Sequence, residues 1–172
     1  QYQGYTGVHA NGQSLIQTNY IPSINGVHYT LNSATLMLGC AINADGPIYD
    51  FGGADVNYTN TIITLNVTTM LMYLNNGYVF QPYESTSLGY FAIMQTDATH
   101  FHGWHDMEYF TGYLSMSPVG MPTVQMYACG WNGNGAPNAA EKPLRFVWIG
   151  GALSHTQYKT TIRAIEECLD LL

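Results

Sequence analysis

The distribution of positive charge constrains this chain more than any other feature of its sequence. No lysine or arginine precedes Lys142 in the 172 residues, although residues 1–141 contain eight carboxylates. The four cations are Lys142, Arg145, Lys159 and Arg163. Because an ion pair needs both signs of charge, most of the fold must be held by apolar burial, aromatic packing and hydrogen bonds between neutral groups. Histidine is the remaining source of positive charge there.

The same distribution excludes two classes of partner. The formal net charge is −7, and the body of the chain has no cluster of basic residues. Neutralising nucleic-acid phosphates or anionic lipid headgroups requires such clusters. We therefore predict no nucleic-acid partner. We also predict no membrane insertion, since no run approaches the roughly 18 consecutive apolar residues of a spanning helix.

Composition predicts a packed fold rather than a disordered chain. Hydrophobic residues make up 47% and charged residues 9% of the sequence, which also has 14 Tyr, 6 Phe and 3 Trp. Disordered chains lack such hydrophobic and aromatic content. A length of 172 residues suits one hydrophobic core, so we predict a single β-rich domain over 1–172.

Turn signals predict that the domain is mainly β. The dipeptide Asn-Gly, which favours the type I′ turn of hairpins, begins at Asn11, Asn25, Asn76, Asn132 and Asn134. The first two dipeptides frame a predicted meander of strands 5–10, 13–24 and 27–38. The third, Asn76-Gly77, frames a predicted hairpin of strands 70–74 and 78–82. The Gly-, Asn- and Pro-rich segment 130–143 is predicted to be a long loop. Many short strands separated by turns favour an antiparallel sandwich, jelly roll or barrel.

The C-terminal segment predicts one amphipathic α-helix. Ser154 and Gln157 have the spacing of a capping box, in which each side chain bonds the other residue's backbone amide. Apolar residues then recur at alternating spacings of four and three, which places them on one helical face. We predict a helix over 155–172 that packs on the sheet or on a neighbouring subunit.

A histidine cluster is the one segment with metal-ligand spacing. His100 and His102 are two residues apart, so in a strand both side chains project to the same side. His105 or Asp106 would supply a further ligand if the chain turns at Gly103. The cluster therefore predicts a site for a single divalent transition metal, and the alternative is a solvated loop whose histidines pair with carboxylates.

A second group of residues combines aromatic rings with amides. Neutral sugars are bound by stacking on aromatic faces together with hydrogen bonds from amide and backbone groups, and this chemistry needs no cation. The same residue types also form protein–protein contacts. The predicted ligand-binding residues are Trp104, Tyr109, Trp131, Asn132 and Asn134.

The setting is predicted to be extracellular, on a virion or at a cell surface. The chain begins at Gln1 without a methionine, which fits either signal-peptide removal or a shortened chain. Three cysteines without CxxC spacing allow one disulfide or three thiols. A body with so little charge suits such a setting.

Three functions compete on these observations. The first is an interaction or assembly module, such as a coat, capsid or filament subunit, which forms homo-oligomers through uncharged, Tyr-rich contacts. The second is a secreted carbohydrate-binding protein of lectin type with neutral glycans as partners. The third is a metal-dependent enzyme built on the histidine cluster. No catalytic residue is assigned, and the sequence favours a role other than catalysis.

Overall fold

The computed structural model of the chain describes residues 6–10, 13–43, 49–57, 60–65, 70–81, 86–110, 120–140 and 143–170. Its strands are β1 (Thr6–Ala10), β2 (Gln13–Gln17), β3 (Ala34–Cys40), β4 (Tyr49–Ala54), β5 (Asn60–Leu65), β6 (Met70–Leu74), β7 (Gly77–Gln81), β8 (Gly89–Gln95), β9 (Phe101–His105), β10 (Glu108–Phe110), β11 (Tyr127–Ala128), β12 (Gly130–Gly133), β13 (Ala136–Ala139) and β14 (Leu144–Gly150). Its helices are α1 (Pro22–Asn25) and α2 (His155–Leu169).

Within the described residues the strands form two sheets. The large sheet has nine strands in the order β1-β2-β11-β4-β5-β6-β7, with β12 paired to β4 and β13. The small sheet has five strands in the order β10-β9-β8-β3-β14. Pairing is antiparallel except between β12 and β4, which run parallel. The predicted mainly β fold with a C-terminal helix is confirmed, and its architecture is a sandwich of two facing sheets.

One apolar core lies between the two sheets. From the small sheet, Leu36 and Leu38 of β3 enter this core, where they meet Phe51, Ile63 and Met72 of the large sheet. Side chains alternate along a strand, so the intervening Met37 points to the other face of the small sheet. There it is buried against α2. Strand β3 is thus buried on both faces, which explains why it reads as a continuous apolar run.

Helix α2 covers the outer face of the small sheet. The predicted capping box at its N-terminus is confirmed: Gln157 N–H donates to Ser154 Oγ over 3.2 Å, and Ser154 N–H donates to Gln157 Oε1 over 2.8 Å. Tyr158 and Ile162 are the buried residues of the predicted apolar face. Packing of the helix on a neighbouring subunit stays a prediction. Neither helix in the described part of the chain is long and apolar enough to cross a membrane.

The β6–β7 hairpin differs from its prediction by one residue. Its turn consists of Asn75 and Asn76, with φ angles of 52° and 72°, whereas Gly77 pairs with Leu74 as the first residue of β7. Asparagine tolerates this left-handed conformation better than other residues with a side chain. Gly77 is needed in the strand for another reason, because a Cβ there would overlap the ring of Phe101.

Three other predicted segments are wrong in detail. The predicted strand 13–24 ends at Gln17, and the chain then forms α1, with Pro22 in the first turn, where a missing N–H costs nothing. The predicted strand 27–38 begins at Ala34. The predicted loop 130–143 contains the paired strands β12 and β13, joined through Asn134 and Gly135 with φ angles of 52° and 86°. All three cysteines are thiols.

Asn75 connects the turn to the core. Its Oδ1 accepts the hydroxyl of Tyr29 over 2.8 Å. Its Nδ2 donates to the backbone oxygens of Thr30 and Leu31 and to Gln95 Oε1. The residue is fully buried, so each of these partners depends on the Asn75 side chain.

We expect Asn75→Ala to lower the free energy of unfolding by about 3 kcal/mol, because buried polar groups lose their partner and alanine resists a positive φ. Asn75→Gly, which relieves the backbone strain alone, should lose less. The control is Asn76→Ala, which keeps the network and should cost about 1 kcal/mol. Urea denaturation measures all three, and equal losses in Asn75→Ala and Asn76→Ala would show that the network contributes nothing.

Candidate functional site

The structure separates the predicted ligand-binding residues into two groups. Trp104 and Tyr109 lie on β9 and β10 of the small sheet. Trp131 and Asn132 lie on β12 of the large sheet, and Asn134 lies in the turn that follows. The five residues therefore do not line one common surface.

Trp104 is part of the core beneath α2. Its side chain is 2% exposed and stacks on Tyr158 with ring centroids 4.5 Å apart. His155 packs edge-on against the same indole at 4.4 Å. The indole N–H has no hydrogen-bond acceptor among the described residues. A ligand cannot stack on Trp104 while α2 is in place.

Tyr109 is the open member of the first group. Its side chain is 44% exposed, and its ring lies 5.0 Å from that of Trp104. Its hydroxyl forms a hydrogen bond of 2.7 Å with His102 Nδ1. Tyr109 therefore presents an aromatic surface at the β10 edge of the small sheet.

The second group mainly holds its own hairpin together. Asn132 is buried, its Nδ2 donates to the Gln125 backbone oxygen over 2.8 Å, and its Oδ1 accepts Gly135 N–H over 2.7 Å. Asn134 N–H donates to the Ala54 backbone oxygen over 2.7 Å. Trp131 packs on Tyr49 with ring centroids 4.3 Å apart. The Asn132 side chain is thus occupied by structural hydrogen bonds, whereas Asn134 is exposed and is held through its backbone N–H.

The predicted metal ligands point in different directions. His100 Nδ1 pairs with Asp97 Oδ2 at 2.7 Å. His105 stacks on Phe91 on the face of the small sheet that is turned toward the core. Trp104, the preceding residue of β9, lies on the opposite face, under α2. Asp106 Oδ1 accepts the backbone N–H of Tyr90. No three His, Cys, Asp or Glu side chains of the described residues are grouped to hold a metal ion.

Both ion pairs in the described part of the chain use histidine, as the charge distribution predicts: His100 with Asp97, and His105 with Asp106. The Thr99 backbone N–H holds the pKa of Asp97 well below its usual range, with His100 adding to the effect. Burial lowers the pKa of His102, and the nearby His100 lowers it further.

A cleft that sequence analysis missed lies at the β14 edge of the small sheet. Its volume is about 550 Å³, which is within the range of small-molecule sites. It lies beside β14 and is closed by α1 and the residues that follow α1. The lining residues are Tyr20, Asn25, Val27, His28, Tyr29, Ser33, Trp148, Ile149, Gly150, Gly151, Ala152 and Leu153.

Two aromatic side chains form walls of this cleft. The indole of Trp148 is 39% exposed and lies along the strand over Gly150, where an added Cβ would be 2.9 Å from Trp148 Nε1. Tyr20 packs edge-on against the buried Tyr29 with ring centroids 6.3 Å apart. Burial raises the pKa of Tyr20, so its hydroxyl stays protonated and able to donate.

The polar groups of the cleft include His28 and no permanently charged side chain among the described lining residues. Asn25 Oδ1 accepts Ile21 N–H over 2.7 Å, which leaves the amide NH₂ as the donor of that side chain. Ser33 Oγ accepts Ala152 N–H over 3.1 Å and so fixes the turn after β14. Of the described residues that line the cleft, none is Asp, Glu, Lys or Arg. The arrangement suits a ligand that combines an apolar face with neutral hydrogen-bonding groups.

Local sequence signals mark parts of this cleft but do not assemble it. Asn25-Gly26 is a turn signal, and Trp148 stands two residues before the paired glycines Gly150 and Gly151. An aromatic residue beside glycines on a strand indicates an accessible ring face. Nothing in the sequence places α1 next to β14, because 122 positions (148 − 26) separate Gly26 from Trp148.

No protein-family model matches the chain, and no curated protein matches it. Among solved structures, the fold is similar to domain 4 of AbnA, a GH43 extracellular arabinanase from Geobacillus stearothermophilus, in complex with arabinotriose. The TM-score is 0.51 at 13% sequence identity, and the match covers 93% of this chain and 82% of that chain. A likeness at this level of identity is a likeness of fold.

The lowered pKa of His102 predicts a pH dependence of folding. When folded, His102 resists the proton that the unfolded chain accepts near about pH 6.5, so stability should be lost as the pH falls below that value. Urea denaturation at about pH 7.5 and about pH 5.5 measures the loss, and His102→Gln should reduce it. An NMR titration should place the His102 pKa below 6.5. A His102→Gln variant that retains the whole pH dependence would contradict this prediction.

Proposed function

We propose that this chain is a carbohydrate-binding domain that takes a neutral oligosaccharide in the cleft beside Trp148. The observation that carries the proposal is the exposed Trp148 on a cleft whose described lining has no Asp, Glu, Lys or Arg. Sugar rings present C–H faces that pack on aromatic rings, and their hydroxyls bond to amides, hydroxyls and backbone groups. A site for a neutral sugar therefore needs rings and neutral polar groups, and no cation.

Each aromatic and polar group of the cleft has a role in the proposed site. Trp148 provides the stacking face, and Gly150 keeps that face clear, since a side chain there would press on the indole. The Asn25 amide donates to a sugar hydroxyl from α1. Tyr20 forms the facing wall and donates through its hydroxyl. Few polar groups on an otherwise apolar wall are typical of sites that orient a small ligand.

The fold likeness supports the proposal without transferring any residue. The arabinanase domain with this fold was determined in complex with arabinotriose, and that arabinanase is extracellular. The same likeness supports the extracellular setting expected from the sequence, and it adds nothing to a virion setting. Neutral glycans are accordingly the proposed partners.

An assembly module is the second candidate, because two exposed apolar side chains lie in α1 and just after it. Ile24 is 73% exposed and Val27 is 83% exposed, and Val27 lines the cleft. Such side chains also suit contact with another protein subunit. Homo-oligomer formation stays a prediction, as does a metal-dependent activity of the histidine cluster. Experiments can distinguish both of these functions from the proposed sugar binding.

We expect Trp148→Ala to weaken oligosaccharide binding about tenfold, since loss of a stacking ring removes on the order of 1.4 kcal/mol. Isothermal titration calorimetry with arabinotriose and a panel of neutral tri- and tetrasaccharides measures the effect. Trp148→Phe should keep part of the affinity. The matched control is Tyr109→Ala, which removes another exposed aromatic ring at the opposite edge of the small sheet and should leave binding unchanged.

Two results would overturn the proposal. One is the absence of binding to every neutral oligosaccharide at high concentration. The other is an affinity that falls in Tyr109→Ala and not in Trp148→Ala, which would move the site to the predicted residues. Light scattering decides the second candidate: a concentration-dependent oligomer that dissociates on Val27→Ser would favour assembly, whereas a monomer that binds sugar supports the binding domain.

A further inference from the structure

A second cleft also lies along β14. Its volume is about 400 Å³, and one wall consists of Leu144, Arg145, Phe146 and Val147. Val147 is followed directly by Trp148, which lines the first cleft. The two clefts therefore occupy successive halves of one strand.

The residues of the opposite wall follow the same order along the chain as the two halves of β14. Ile16 of β2 lies opposite the Leu144–Val147 half, and Tyr20, four residues later, lies opposite the Trp148 half. Backbone hydrogen bonds between Met126 and both Thr18 and Tyr20 hold this segment to the chain that leads into β11. Both walls thus run side by side from one cleft into the next.

The length of this arrangement suits a chain ligand. Strand β14 has seven residues, and at about 3.3 Å per residue its edge extends roughly 20 Å. It is the last strand of the small sheet among the described residues. Its outer edge therefore pairs with no other described strand of that sheet. A trisaccharide or longer oligosaccharide fits along such an edge.

The two halves differ in charge. The Trp148 half has no Asp, Glu, Lys or Arg in its described lining, whereas Arg145 lines the other half and is exposed. Neither ion pair of the described residues involves Arg145. The guanidinium is therefore available to a ligand, and its planar donors match a carboxylate. The other described cations, Lys159 and Arg163, lie on α2 and line neither cleft.

From this juxtaposition we infer that the two clefts form one groove for an acidic oligosaccharide. Neutral sugar units occupy the Trp148 half, and a uronic acid unit places its carboxylate at Arg145. The inference rests on the proposed function and adds the chemical class of the ligand, its minimum length of three units and its direction along β14.

The test compares neutral and acidic forms of the same ligand. The probes are xylotetraose and galactotetraose, each paired with a tetrasaccharide that ends in a uronic acid, glucuronate on the xylose chain and galacturonate on the galactose chain. Calorimetry measures affinity for the unaltered chain. We expect at least one acidic probe to bind about tenfold more tightly than its neutral partner at low salt, and added sodium chloride should reduce that gain because Arg145 is exposed.

Variants locate the effect. Arg145→Gln should remove the difference between the acidic and neutral probes by weakening the acidic probe, with a much smaller effect on the neutral probe, whereas Arg145→Lys should keep part of the difference. The matched control is Arg163→Gln, which changes the net charge by the same amount at an exposed position on α2 and should keep the full difference. Circular dichroism of Arg145→Gln checks that the variant folds as the unaltered chain does.

Each outcome separates the inference from the function on which it rests. Equal affinities for acidic and neutral probes, with binding still lost in Trp148→Ala, would overturn the inference and leave the sugar-binding function standing. An acidic gain that survives Arg145→Gln, or that falls equally in Arg163→Gln, would also overturn it. No binding of any probe would overturn both.

Discussion

The burial of the small sheet on both faces is the packing on which the rest of the structure depends. Leu36 and Leu38 of β3 face the large sheet, while Met37 between them faces α2. Because residues 1–141 contain no lysine or arginine, ion pairs between residues of this part cannot stabilise the packing of the layers, except through histidine. Burial of apolar side chains supplies the cohesion instead, at roughly 25 cal/mol for each Å² removed from water. The strand that is buried twice therefore fixes both the sandwich and the position of the helix.

The position of α2 decides which surfaces of the small sheet remain open. The helix stacks Tyr158 on Trp104 of β9 and donates the Tyr158 hydroxyl to the Asp106 backbone oxygen over 2.7 Å. These contacts anchor it toward the β9–β10 side of the small sheet. The β14 edge at the other side stays accessible, and both clefts lie there. The helix is thus structural, yet it determines where a ligand can bind.

Two tryptophans show how context assigns opposite roles to one residue type. Trp104 lies under α2 with three aromatic neighbours, and its ring has no free face. Trp148 lies on the outermost strand, where the neighbouring Gly150 leaves its indole accessible. The first contributes to stability, and the second provides the stacking surface of the proposed site. The surface around Trp148 has no Asp, Glu, Lys or Arg among its described lining residues. Arg145, in the second cleft along β14, is the exception.

The sequence by itself determined the local features, because their causes lie within a few residues. The capping box at Ser154 and the buried face of α2 follow from helical spacing, and the turn at Asn76 was placed within one residue. The mainly β class and the reliance of ion pairs on histidine follow from composition. Tertiary structure alone decided which aromatic rings are exposed, that His105 faces away from His102, and that α1 and β14 line one cleft. Those outcomes depend on contacts between residues far apart in the chain, which no local pattern encodes.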